Sequence, residues 1–152
     1  MLVGCESGVE VCDGVTAAWS GFPTNGTAHS AARRDKYLMG EAVRQAGLRA
    51  VRQAECASWA EAAPFVAELG VGDDCAADGG GGAADGADAA SGGGGGGAWC
   101  VLKPTKSAGT DGVFIAKSTA EARRRFGEIL GAANVFGESN QTVLAQECVR
   151  RG

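Results

Sequence analysis

Two short apolar runs constrain this chain most. Trp99-Cys100-Val101-Leu102 closes on Lys103-Pro104, and Val113-Phe114-Ile115-Ala116 closes on Lys117. Between them lies the small-residue stretch Ser107-Ala108-Gly109-Thr110-Asp111-Gly112. Apolar runs joined by such a stretch predict a β-hairpin with a backbone-rich tip. A tip of this kind exposes N–H groups that can point at phosphate oxygens, and a lysine at its base supplies a compact positive charge.

The hairpin is preceded by a segment of opposite character. Residues 70–98 are dominated by Gly, Ala and Asp and include the run Gly92–Gly97. Such a stretch has too little apolar surface to offset its ordering entropy, which predicts a disordered insertion. It holds much of the 26-glycine content, so the core is smaller than 152 residues suggest. It also distorts the net charge of −4. Five aspartates fall inside it with no basic residue. Without them the 18 acidic residues drop to 13, against 14 Lys and Arg. The remainder is nearly neutral and has no basic field of the kind nucleic acid requires.

The cysteines at 5, 12, 56, 75, 100 and 148 include no Cys-x-x-Cys pair, and His29 is the only histidine. That spacing argues against zinc. Cys100 and Cys148 sit in apolar runs and read as small core hydrophobes. The first fifteen residues carry Glu6, Glu10 and Asp13 without a continuous apolar stretch, and no run approaches the roughly 18 residues of a membrane span. A cytoplasmic, non-membrane protein is the expectation.

Periodicity predicts one helix from Ala31 to Ala46, capped by Ser30 and ended by Gly47, with Tyr37, Leu38, Ala42, Val43 and Ala46 on its apolar face. Leu48–Ala54 alternates as a strand. Ser58-Trp59-Ala60-Glu61 and Ser118-Thr119-Ala120-Glu121 are capping boxes. The first opens a helix that contains Pro64 and ends at Leu69-Gly70. The second opens one that runs to Leu130. Thr142–Val149 is a final strand, and Arg123-Arg124-Arg125 read as a solvated helix face. Neither a P-loop nor a nucleophile-elbow pattern is present.

In this order the chain resembles the ATP-grasp superfamily of carboxylate–amine ligases. The resemblance is carried by Ser30-Ala31-Ala32-Arg33-Arg34-Asp35-Lys36-Tyr37-Leu38-Met39, Val101-Leu102-Lys103-Pro104, Ser107–Val113, Val143-Leu144-Ala145-Gln146-Glu147 and Asn134-Val135-Phe136-Gly137. It implies an α/β (α+β) partial ATP-grasp fold, with helices packed on an antiparallel sheet. It also divides the chain: residues 1–26 as the tail of a preceding small domain, 27–69 as the helical start of the ATP-grasp domain, 70–98 as the disordered insertion, and 99–152 as the nucleotide-binding lobe, truncated.

The resemblance further implies site roles. Lys36 and Lys103 would reach the phosphates, and Ser107, Gly109, Thr110 and Gly112 would form the loop over the triphosphate. Gln146, Glu147 and Val149 would read adenine, Gln146 through its amide oxygen. Asp111 is awkward beside phosphates and reads as capping its own turn. Each site has a plainer reading: a solvated helix lysine, a polar strand end, an ordinary hairpin turn, an edge strand. ATP and magnesium are the implied cofactors. The magnesium ligands are expected beyond residue 152, in a missing C-terminal lobe, so no catalytic or metal residue is assigned here. The implied reaction phosphorylates a carboxylate with ATP and lets an amine displace phosphate. The 152 residues alone are expected to bind ATP weakly and turn over nothing. A carboxylase-type fragment and a non-catalytic regulatory nucleotide-binding piece are the alternatives.

Overall fold

The computed structural model describes residues 5–19, 21, 23–72 and 98–149. Four strands form one antiparallel sheet: β1 (Gln53–Cys56), β2 (Cys100–Pro104), β3 (Phe114–Ala116) and β4 (Val143–Glu147), in spatial order β1-β4-β2-β3. β2 and β3 are the expected hairpin, registered Cys100 to Ala116 and Leu102 to Phe114. The helices are α1 (Val9–Ala18), α2 (Ser30–Arg34), α3 (Lys36–Gln45), α4 (Trp59–Glu68) and α5 (Thr119–Ile129). The chain is therefore mixed α and β, with helices on an antiparallel sheet.

Strand alternation sorts the sheet into two faces. Cys56, Cys100, Leu102, Ala116, Val143 and Ala145 point to one of them and are buried, together with Ala62 and Val66 of α4 and Ala122, Phe126 and Ile129 of α5. Phe126 meets Trp59 edge-on, with ring centroids 5.8 Å apart. Both helices begin where the capping boxes place them. The Ser58 and Ser118 hydroxyls accept from the Glu61 and Glu121 amides. The two glutamates reach back to the amides of Ala57 and Lys117. α4 continues through Pro64 to Glu68 and ends at Leu69, followed by Gly70 in the left-handed region.

Three expectations need correction. The helix expected over Ala31–Ala46 is two helices. Asp35 is extended (φ −104°, ψ 121°), and its Oδ1 accepts from the amides of Tyr37 and Leu38. It thus starts α3 anew, as an Asp side chain competing for backbone amides does. Ser30 caps nothing. Its hydroxyl donates to buried Asp13 at 2.7 Å, and Arg33 donates to the same carboxylate oxygen at 2.6 Å, fastening α1 to α2. The apolar face of α3 contributes no buried residue. Ala42, Val43 and Ala46 instead line a shallow groove with Met39 and Leu48.

The second correction is the strand expected at Leu48–Ala54, which begins only at Gln53. Its ladder exists where β4 faces it, from Gln53–Gln146 to Cys56–Val143. Residues 48–51 alternate without a partner strand, and alternation alone satisfies no backbone group. Third, Cys148 lies past the end of β4 and is only partly buried, unlike Cys100.

The expected insertion lies outside the described residues except at its ends, where the Ala98 amide donates to the Gly70 carbonyl. Residues 1–4, the start of the expected preceding-domain tail, also lie outside them. Among the described residues no helix is long and apolar enough to cross a membrane.

Candidate functional site

The sheet face away from α4 and α5 carries Val101 and Lys103 from β2, Ile115 from β3, Leu144 and Gln146 from β4, and Gln53 from β1. Lys103 pairs with Leu144, and Val101 pairs with both Gln146 and Ile115. Lys103 and Gln146 are thus diagonal neighbours, about 7–8 Å apart by sheet geometry. α3 approaches one edge of this face. Gly40 lies so close to Gln53 that a Cβ there would fall 2.7 Å from its Cδ.

Lys36 is the first residue of α3. Its amide donates to the Thr105 carbonyl just past β2, at 3.0 Å. This brings the Lys36 side chain to the base of the hairpin loop, where Nζ donates to the Ser107 carbonyl at 2.6 Å and contacts the Ser107 hydroxyl at 3.3 Å. Burial pulls its pKa below the ordinary 10.5. Glu6 opposes that shift, Arg34 adds to it, and Asp35 and Asp111 oppose it. Lys103 is also drawn down, by burial first and by the nearby Lys36 charge second. The two ammonium groups are therefore near enough to repel each other. Among the described residues neither forms an ion pair with a carboxylate, and the Lys103 ammonium forms no hydrogen bond. A half-buried cation without an anion is unfavourable in an empty fold and suited to an anionic ligand.

The loop is built tightly. Ser107 is buried, and its hydroxyl donates to the Asp111 carbonyl at 3.1 Å while lying against Lys36. It organises the loop from within. Asp111 does not cap its own turn. Its Oδ2 accepts from the Val135 amide at 2.9 Å. Gly109, Thr110 and Gly112 all have positive φ, at 62°, 64° and 67°. Thr110 sits at the exposed tip, its hydroxyl donating to the Gly109 carbonyl.

Gly112 has a second constraint, because a Cβ there would lie 2.9 Å from Pro104 Cγ. Gly112→Ala is expected to destabilise by at least about 1–2 kcal/mol from the left-handed backbone alone, with the Pro104 contact adding to it. Gly109→Ala, with open space around its Cβ, should cost only the backbone part. Urea unfolding of the two variants checks the difference; equal losses would remove the Pro104 contact from the account.

At the other end of the face, the Gln146 amino group donates to Gln53 Oε1 at 3.1 Å. Gln53 in turn donates to the Tyr37 carbonyl and to Glu41. With its amino group so placed, Gln146 presents its carbonyl oxygen as the acceptor for a ligand. Glu147 is engaged elsewhere. Its carboxylate accepts from the Arg52 amide at 2.8 Å and from Arg52 Nε at 3.1 Å, bonds that hold its pKa below the usual carboxylate range. Its side chain therefore fastens β4 to the residue before β1. Val149 lies beyond β4 and is 73% exposed.

A cleft of about 500 Å³ opens beside the loop base, lined in part by Asp35, Glu55, Thr105, Lys106 and Asn134. Among the described residues no three His, Cys, Asp or Glu side chains converge where a metal ion would sit. Gln53 and Asn134 shape the site without having been singled out for it. Gln53 orients Gln146, and Asn134 donates to the Lys106 carbonyl at 2.8 Å. The Asn134-Val135-Phe136-Gly137 word was the only sequence signal for either, because the Gln53–Gln146 contact spans 93 positions.

Over 148 residues, 97% of its length, the chain is 32% identical to dapdiamide A synthase of Enterobacter agglomerans. It spans 28% of that relative's length. No family model and no solved structure matches it.

Proposed function

We propose that this chain is the ATP-binding portion of an ATP-grasp ligase, one that joins a carboxylate to an amine through an acyl-phosphate. The observation that carries the reading is the pair of half-buried ammonium groups, Lys103 on the open sheet face and Lys36 beside it at the start of α3, which among the described residues form no ion pair with a carboxylate. A polyphosphate supplies the charge they lack. Gln146 would accept from the adenine amine, and the Ala108–Thr110 tip would close over the phosphates with its amides. Similarity to a protein named a synthase supports the ligase side of the reading. The described residues would bind and orient the nucleotide through ammonium, amide and backbone groups. Magnesium, when present with ATP, would screen charge between the phosphates. Small carboxylate and amine substrates would be selected outside these residues.

Calorimetric titration of the chain with ATP and magnesium tests this, and absence of saturable binding would sink it. The pH dependence has a definite sign. Both lysines have pKa values below 10.5 in the folded chain. A bound polyanion favours their charged forms and raises those values, so binding takes up protons on the alkaline side. Affinity should hold near neutrality and fall as pH climbs towards the ordinary lysine range. The free fold shows the opposite trend. The unfolded chain keeps lysine protons that the folded chain releases, so this contribution to stability rises up to pH 10.5. An alkaline limb that strengthened binding would contradict the assignment.

A further inference from the structure

Asp111 is the one loop residue that a phosphate-cradling role leaves unexplained, since a carboxylate repels a polyphosphate. Its contacts give it another task. Asp111 Oδ2 accepts from the Val135 amide at 2.9 Å, and its backbone carbonyl accepts from the Ser107 hydroxyl at 3.1 Å. Ser107 is the residue whose carbonyl and hydroxyl hold Lys36 Nζ, at 2.6 and 3.3 Å. On the other side of the loop, Asn134 Nδ2 donates to the Lys106 carbonyl at 2.8 Å. Asn134 Oδ1 accepts from the Phe136 and Glu138 amides and fixes that turn. The loop is thus pinned at Lys106 and at Asp111 to a single turn, and only Ala108, Gly109 and Thr110 lie between Ser107 and that second pin.

We propose that Asp111 is a positioning residue for polyphosphate binding: it pins the loop to the Asn134 turn and so sets the place of the Ser107 groups that hold the Lys36 ammonium. This rests on the nucleotide reading above. The carboxylate also contributes negative charge near Lys36. That ammonium is faced by Glu6 from the turn before α1, Arg34 from α2, Asp35 beside it, Asp111 from the loop and Lys103 from β2. Asp111 offsets part of the repulsion between the two lysines without forming an ion pair that ATP would have to break.

Two substitutions in the full chain separate geometry from charge. Asp111→Asn keeps an oxygen for the Val135 amide and removes the charge, whereas Asp111→Ala removes both. With ATP and magnesium as the probe, Asp111→Ala should weaken binding roughly 3- to 10-fold at neutral pH, the scale of one net hydrogen bond. Asp111→Asn should bind nearly as the parent chain at neutral pH but lose affinity at a lower alkaline pH. NMR titration of the Lys36 side chain without nucleotide should show its pKa lower in both variants. That titration reads the lost charge, whereas weaker binding by Asp111→Ala beside near-parent binding by Asp111→Asn at neutral pH reads the pin to Val135. If the parent chain binds ATP while both variants match it in affinity, in pH profile and in Lys36 titration, the inference falls alone. A parent chain that ignores ATP would overturn the nucleotide reading, and this inference with it.

Discussion

Lys103→Met is expected to weaken ATP binding by about 10- to 100-fold, with no loss of fold stability. A hydrogen bond to a charged group contributes about 1.5–3 kcal/mol, and each 1.4 kcal/mol is tenfold in affinity. Lys103 meets the requirements for an effect of that size. It is half-buried, it lies on the open sheet face, and no described carboxylate neutralises it. Methionine keeps the apolar stem that packs along the strand, so the substitution removes charge and little contact. Stability should hold or rise, because burial and Lys36 both disfavour the charged form in the free protein. Calorimetry with ATP and magnesium reads the first effect, and urea unfolding reads the second. Unchanged affinity would take Lys103 out of the site, and an affinity loss that merely tracked a stability loss would assign it a structural role.

The second large effect lies on the opposite face. Phe126→Ala should cost about 3–5 kcal/mol, the usual range for deleting a buried phenyl ring. Phe126 is 2% exposed and joins α5 to the sheet and, through Trp59, to α4. Small domains typically have only about 5–15 kcal/mol in all, so the variant should unfold at a much lower urea concentration. Phe126→Leu keeps much of the volume and should lose far less. Nucleotide affinity of the folded fraction should stay close to that of the parent chain, because no Phe126 atom reaches the lysine face. A Phe126→Ala variant with parent-like stability would mean that the α4–α5 layer is not the core.

The parts of the fold legible in the sequence are those set by neighbours within a few positions. Ser58 with Glu61 and Ser118 with Glu121 make their caps inside four residues, and α4 and α5 start as the pattern requires. The β2–β3 hairpin was legible because its loop is rich in small residues and its flanks are apolar. Leu48–Val51 misled for the complementary reason. Their alternation is real, but a strand ends where its partner ends, and β4 lies about ninety positions away in the chain. Asp35 misled because one side chain served both the helical pattern and the cap that interrupts it.

The candidate site divides along the same line. Lys36, Lys103 and Gln146 were singled out by residue type and order, and the fold puts all three on or beside one sheet face. The side chains of Ser107, Asp111 and Glu147 meet Lys36, Val135 and Arg52, partners 71, 24 and 95 positions away that no local pattern shows.

By itself, then, the sequence determined where helices α4 and α5 begin, that a glycine-bearing hairpin ends in Lys103, and which residue types are present for an anion. Only the tertiary structure decided which of them remain available to a ligand. Hydrogen-bonding capacity is consumed by whichever group the packed chain brings within about 3 Å, and local pattern carries no record of those distant approaches.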